Sequence, residues 1–358
     1  MSEETGGVSR RAFLLGAGAV GTAGLAGCAS QRAIQPGRAA GGGGSSSVSA
    51  LTADGSSTVY PIANTASQRW NGNPPATDTE YWPHGEFGID TTQNLADYYA
   101  SKYGFEPTET RSTPPFRANI ALSHSGTGVN AVKEQRVDIG NSSAPVEDEL
   151  PDSSEETLDN FVNHVVGVDG QPIVVSEAIY EAGVTGVTAE QLRQIYRKEV
   201  TNWSELGGPD KSIRVIGRAE ESGTDTSFRA NLYGDPDAPI SPDVRKGQNQ
   251  QVKTIVEQND NAIAYLALAF VDQNGPARPI SLEVDGTVYE LGKNLGAKEY
   301  PLSRDLHMYT WDGTSRKEAA FLDMILSDFG QEVCVAGNNY FKLPPDRLEN
   351  QRSKLPEP

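Results

Sequence analysis

The chain predicts an α/β protein of two lobes, on three observations. Its 358 residues favour two domains over one or three. Short apolar runs alternate with helical patterns beyond the first fifty residues, which predicts an α/β class with mostly parallel strands. Four of those runs end in loops rich in Ser, Thr and Gly that open helices, an arrangement that places ligand-facing groups at the carboxyl ends of strands. Hydrophobic residues make up 37% of the chain and charged ones 22%, so it can bury a core and is not a disordered polymer.

Charge excludes one class of partner. Asp and Glu outnumber Lys and Arg by 48 to 30, a formal net charge of −18, and this leaves no broad basic face on which nucleic acid could release counterions. Surplus carboxylate with 19 Arg against 11 Lys is similar to the surface chemistry of proteins from salt-loving archaea.

The first segment reads as an address. Ser9 to Leu14 spell SRRAFL, and a Gly- and Ala-rich apolar stretch runs from Leu14 to Ala26, too short to span a bilayer comfortably; this resembles a twin-arginine export signal. LAGC at Leu25 to Cys28 resembles a lipobox, in which the thiol of Cys28 is lipidated and becomes the mature N-terminus. Residues 29–49 are Gly/Ser-rich and predict a flexible tether. The expectation is an exported protein held by lipid at the outer face of the membrane. Cys334 is then the lone thiol of the folded part, and its place after an apolar helical run predicts a buried, structural role. His84, His124, His164 and His307 form no metal-binding motif, so neither metal nor cofactor is expected.

The loops carry the chemistry. A run ending at Asp54 leads into GSSTVYPI, where Pro61 suits a first helical turn. Ala118 to Ser123 leads into HSGTGVNAV, Val137 to Gly140 into NSSAP, and Ile213 to Gly217 into RAEESGTDTSF. Unpaired N–H groups and the positive dipole end of each helix, joined by hydroxyl donors, suit an oxyanion when several such ends converge. Taken singly, each Ser or Thr is as well explained as a helix cap. In the fourth loop Arg218 adds a guanidinium suited to bidentate oxyanion binding, with Glu220 two residues on as a candidate to orient it.

In their order GSSTVYPI, SGTGVNAV, VDIGNSSAPV, VTAEQLRQIYRKEVTNWSEL, GRAEESGTDTSF, AIAYLALAF, YPLSRDLHMYT and AAFLDMILSDFGQEV, the motifs resemble those of the substrate-binding proteins of the ATP-driven, ABC-type high-affinity phosphate importer. The resemblance runs from about Ser49 to Pro344. It implies a two-lobed, hinge-linked periplasmic-binding-protein-like fold (type II) with the ligand in the cleft. It also implies lobe 1 from 50–172 and 266–350, lobe 2 from 173–265, and an insertion at about 69–117. Carried over by motif, the phosphate-binding set is Ser57, Thr58, Val59, Ser125, Ser143, Arg218, Ser222, Gly223 and Thr224, with Glu220 holding Arg218 without touching the ligand. The implied partners are inorganic phosphate, the membrane permease subunits of the importer and, through the lipid anchor, the membrane itself; the protein is expected to be a monomer and not an enzyme.

Two departures stand out. Some members of the family carry Asp where this chain has Ser143, which bears on discrimination against sulfate. The segment 69–117 holds Trp70, Tyr81, Trp82 and His84, read either as a partner surface or as a locally packed loop. Receptors for sulfate, molybdate or tungstate, and a phosphatase-like hydrolase built on adjacent His124 and Ser125, are the alternative functions. The hydrolase lacks a G-x-S-x-G elbow, a metal cluster or a P-loop lysine.

Overall fold

The computed structural model describes residues 48–357 apart from Glu221 and Lys298. The export signal, Cys28 and nearly all of the tether lie outside the described residues.

Chain order is β1 (Leu51–Gly55), α1 (Tyr60–Gly72), α2 (Leu95–Lys102), β2 (Ala118–Ile120), α3 (Ser125–Lys133), β3 (Ile139–Ser142), α4 (Val146–Glu149), α5 (Glu155–Leu158) and β4 (Phe161–Gly170). There follow β5 (Ile173–Ser176), α6 (Glu177–Glu181), β6 (Gly186–Thr188), α7 (Ala189–Arg197), β7 (Arg214–Arg218), α8 (Gly223–Tyr233), β8 (Val244–Lys246), α9 (Asn249–Glu257), β9 (Ala262–Tyr265), β10 (Ala277–Val284) and β11 (Thr287–Tyr289). β12 (Ser303–Trp311) and α10 (Arg316–Ile325) lead into the C-terminal part.

The strands form two sheets, one ordered β2-β1-β3-β12-β4 and the other β11-β10-β5-β9-β7-β8, with β6 beside β10. Both are mixed, where the sequence pattern predicted mostly parallel pairing. β1, β2 and β3 run parallel, as do β7, β8 and β9, but β12 is antiparallel to β3 and β4, and β5 is antiparallel to β9 and β10. The physical reason is connection type. Parallel pairs need a crossover, which the helices after β1, β2 and β7 supply, whereas β4, β5 and β12 join their sheets where the chain passes from one to the other. The parallel strands are the ones that feed the Ser/Thr/Gly loops.

Near-continuous apolar runs in β5 and β9 reflect burial on both faces. Ile173 and Val175 point into the core that holds Leu192, Tyr196 and Phe228, while Val174 joins Ile216, Val252 and Ala264 on the other side. The first sheet packs Leu51, Ala53, Ile139 and Met308 against α1, α2 and α10. β10 and β11 correct the expected boundary. Return to the first lobe was placed at residue 266, and Ala267 and Leu268 do touch the first core, but the chain then goes back. Ile280 and Leu282 fill the second core, and the β10 backbone pairs with β5, so the crossing comes between Leu302 and Ser303.

Of the two readings for segment 69–117, the packed loop is the one observed. Trp70 and Trp82 are fully buried; the Trp70 indole donates to the Phe116 carbonyl at 2.7 Å, and Trp82 meets Phe329 edge-on at 5.0 Å between centroids. Only Tyr81 of that aromatic group is exposed, with Arg69 lying over its ring. Cys334 is buried, and that burial pushes its thiol up to about 12, as suits an inert packing residue.

Candidate functional site

Local sequence explains how each loop reaches the meeting point of the two lobes. β1 ends at Gly55, whose φ of +132° is open to glycine and where any Cβ would strike the Asn141 carbonyl. The chain can therefore turn sharply into Ser56, Ser57 and Thr58, all buried, ahead of α1. The Ser56 hydroxyl takes the Thr58 N–H at 3.2 Å and donates to the Ser143 hydroxyl at 3.0 Å. Val59, also buried, is the residue before α1. Ser125 opens α3, and its hydroxyl accepts the Ser143 N–H at 3.2 Å, tying the second loop to the third. Ser222 caps α8 by accepting the Thr224 N–H at 3.3 Å, so its capping role is real.

The structure brings Ser57, Thr58, Val59, Ser125, Ser143, Arg218, Ser222, Gly223 and Thr224 into one buried region, with three loops from the first lobe facing one from the second. Contacts cross directly. The Thr58 and Thr224 hydroxyls are 2.9 Å apart, Arg218 donates to the Ser57 hydroxyl at 3.0 Å, and the Ser227 hydroxyl donates to the Ser143 carbonyl at 3.1 Å. Gly223 sits so close to Ser125 that an added Cβ would collide with that hydroxyl, which is why this turn must be glycine. The starts of α1, α3 and α8 thus converge, and their N–H groups and dipoles favour negative charge at that point.

Arg218 is 1% exposed and its guanidinium is fully engaged. Nε donates to the Lys246 carbonyl at 3.2 Å, one terminal nitrogen to Asn249 Oδ1 at 2.7 Å, and the other to the Gly247 carbonyl at 2.6 Å as well as to Ser57. Every partner is neutral. Among the described residues no carboxylate forms an ion pair with it, and burial lowers its pKa to about 10, well above neutrality. A buried cation held by dipoles alone favours a bound anion.

Glu220 does not hold Arg218, contrary to the sequence expectation. The chain turns back at Ala219, whose N–H donates to the Lys246 carbonyl while its own carbonyl accepts the Ser222 N–H. Glu220 is thereby turned outward, with 74% of its side chain exposed, and faces Arg245 at 3.7 Å. The positioning task falls to Asn249, which opens α9 and also donates to the Ser57 and Thr58 hydroxyls at 3.3 and 3.2 Å.

Sequence reasoning also missed Arg304, Asp169 and Gln171. From β12, Arg304 donates to one Asp169 oxygen at 3.0 and 2.7 Å, to the carbonyls of Ser143 and Gly223, and to the hydroxyls of Thr58, Thr224 and Ser227. Gln171 donates to the Thr224 carbonyl at 2.9 Å. Charged residues inside the apolar strands VDG and SRDLHMYT were the available signal, although their pairing across 135 positions was not readable from spacing. Below Arg218 lies a further buried network: Tyr265 donates to Asp225 at 2.5 Å and accepts the Arg218 N–H, while Arg245 donates to the same carboxylate at 3.0 Å. Burial raises the Asp225 pKa, opposed by Tyr265 and Arg245, and raises that of Tyr265 well above its ordinary value, so the phenol stays a donor.

Chemically, the region offers hydroxyls, N–H groups and one uncompensated guanidinium, a set that binds an oxyanion and activates nothing. The hydroxyl of Ser125 lies 3.4 Å from that of Ser143, while the ring of His124 packs against Gly247 with its Nδ1 buried and unpartnered. That arrangement does not assemble the nucleophile and base a hydrolase needs.

A family model described as a PBP superfamily domain matches residues 40–328. The phosphate-binding protein PstS of Bacillus subtilis (strain 168) is 30% identical over 229 residues, covering 63% of this chain and 71% of that protein. Among solved structures, a Clostridium perfringens protein determined with bound phosphate has a TM-score of 0.60 at 22% identity, covering 83% of this chain and all of that one. An ABC-type phosphate transport receptor from Vibrio cholerae has a TM-score of 0.54 at 22% identity, covering 82% and 100%. At such identity the two structures speak to the fold alone.

Proposed function

Because the chain belongs to the PBP superfamily and, within it, to the family of the Bacillus PstS, we propose that it captures inorganic phosphate outside the cytoplasm for an ATP-driven ABC importer. It is a binding protein and not an enzyme. The observation that carries the ligand is Arg218, a buried cation with only neutral partners at the point where three helix starts converge. Phosphate supplies the missing charge and has oxygens enough to engage Ser57, Thr58, Ser125, Ser143, Ser222, Gly223 and Thr224 together, with the Val59 N–H at the start of α1.

The ligand acts on a hinge. The chain passes between lobes near Gln171 and again between Leu302 and Ser303, and direct contacts such as Thr58 to Thr224 hold the closed form. Phosphate touching both lobes only when they are shut biases the closed state, and that state docks on the permease subunits. Lipidation at Cys28 keeps the protein near them, and the protein acts as a monomer.

Ser143 keeps a second reading in play, a receptor for sulfate, because a hydroxyl at this position does not itself repel a fully ionised anion. Calorimetric titration of the purified, ligand-stripped protein with phosphate and then sulfate separates the readings. One-to-one phosphate binding with far weaker sulfate binding is expected; equal binding would move the assignment to a general tetrahedral-oxyanion receptor. Loss of phosphate uptake on gene deletion tests the transport role, and loss of membrane association and of the lipid mass on Cys28→Ser tests the anchor.

A further inference from the structure

Segment 69–117 turns most of its aromatic rings inward, and in doing so it builds a pocket on the outer surface of the first lobe. The pocket has a volume of about 360 Å³ and lies beside the last two turns of α1, with Thr65, Gln68, Arg69, Tyr81, Arg111 and Ser112 on its walls. α1 is 13 residues long, so the pocket stands about 18 Å from the phosphate loop at the start of the same helix. No Asp or Glu lines it, in a chain whose acidic groups outnumber its basic ones by 48 to 30. Two arginines do.

Buried polar groups hold that pair of arginines on one pocket. Asn73, at the end of α1, donates through its amide to the Thr110 carbonyl at 3.2 Å, while its N–H caps the carbonyls of Arg69 and Trp70. Asp97 accepts the N–H groups of Thr108 and Glu109 at 3.1 and 2.9 Å. The Ser112 N–H then closes on the Gly72 carbonyl at 2.8 Å, which sets Arg111 at the end of α1. The carbonyl end of a helix disfavours an anion, but here the last carbonyls are already taken. Asp78 fixes the remaining wall: one oxygen pairs with Arg111 at 2.7 Å and the other accepts the Tyr81 N–H at 3.3 Å.

Arg69 is the cation left over. Its guanidinium carbon lies 4.9 Å from the centre of the Tyr81 ring, and no ion pair includes it among the described residues. Nη1 is shut in without a hydrogen-bond partner, so bonds to the group must come from its other edge. A half-buried guanidinium with no counter-charge favours an anion beside it. We propose that this pocket is a second anion site, which takes the dianionic phosphate group of a small phosphate monoester with a flat or apolar body. Two guanidiniums, the Thr65 and Ser112 hydroxyls and the Gln68 amide offer more donors than the two oxygens of a carboxylate can use, and the three free oxygens of a monoester match them. Tyr81, 44% exposed, presents its ring to the ester's body. In the closed cleft Ser57, Ser125, Ser143 and Arg218 are each at most 4% exposed, so the outer pocket takes a class of phosphate that the cleft excludes.

The test is calorimetry of the full-length protein with phenyl phosphate as the probe, in a slight excess of inorganic phosphate that keeps the cleft filled. One further equivalent should bind, at least about tenfold more tightly than benzoate, which has one charge and two oxygens. Arg69→Gln and Arg111→Gln should each weaken phenyl phosphate about tenfold. Both should bind inorganic phosphate in the cleft as the wild type does, which also establishes that they fold. Tyr81→Ala should cost about threefold. The site is overturned by an absence of saturable phenyl phosphate binding, by equal affinity for benzoate, or by undiminished binding in either folded arginine variant; each leaves the phosphate reading of the cleft standing. Failure of the wild type to bind inorganic phosphate overturns that reading instead, and the arginine variants still decide the outer pocket. Should Arg69→Gln unfold, Arg111→Gln, whose side chain is 55% exposed, decides alone.

Discussion

Two buried arginines approach the same place from opposite lobes, and their difference shows how charge balance assigns roles. Arg304, from the first sheet, spends two of its bonds on Asp169 and the rest on carbonyls and hydroxyls from both lobes. Arg218, from the second, has an amide, two carbonyls and a hydroxyl. Arg304 is thus complete within the protein and works as a clasp. Arg218 is hydrogen-bonded yet not neutralised, which costs stability in the free protein and favours an anion.

Breaking the clasp should have the largest effect. Asp169→Asn leaves Arg304 buried without its counter-charge and, since one amide oxygen can serve the Leu268 N–H, turns an NH2 donor towards the guanidinium, so urea unfolding should show a loss of about 3–5 kcal/mol. Arg218→Met should do the reverse. Phosphate affinity measured by calorimetry should fall at least about a hundredfold, roughly 3 kcal/mol, while stability without ligand holds or rises because an unneutralised buried charge is gone. If Arg218→Met costs as much stability as Asp169→Asn, the distinction between the two arginines fails.

Acid should sharpen the contrast between lobes, since His84, His124, His164 and His307 all lie in the first. Burial lowers His164 and His307 to about 4, so these rings stay neutral in the fold while the unfolded chain protonates them near its ordinary value of about 6.5. Between those values the unfolded state binds more protons, and stability falls as pH falls. From pH 7 to 5 the loss should be about 2 kcal/mol for each histidine. Hydrogen exchange at pH 5 should show protection lost first in β4 and β12, and equal loss in β5 and β9 would refute the assignment. The smallest effect belongs to Ser57→Ala, which removes one neutral partner of Arg218. Phosphate affinity should fall about fivefold, near 1 kcal/mol, with the same stability.

The site divides into what was legible and what was not. Ser57, Thr58, Ser125, Ser143, Arg218, Ser222 and Thr224 were readable because each lies in a strand-loop-helix unit whose residue types carry their own reason, and the structure gathers them. Asn249 sits at a helix start, Arg304 and Asp169 within strands and Gln171 in the short link between β4 and β5, where their residue type says little. Glu220 misled because proximity along the chain was taken for proximity in space, and the turn at Ala219 sends it outward.

The same division holds for the fold. The α/β class and the two-lobe plan follow from local periodicity and length. The mixed sheets and the return at Leu302 do not, since strand direction and partner depend on which apolar faces meet, as when Ile280 and Leu282 enter the second core. Sequence by itself determined the helix starts, their hydroxyl donors and the arginine of the fourth loop, because capping chemistry and backbone geometry act over a few residues. Only tertiary structure decided that Asp169 neutralises Arg304 and that Asn249 rather than Glu220 orients Arg218. Those outcomes rest on burial and charge pairing between segments far apart in the chain, where the low local dielectric makes a partner, or its absence, decisive.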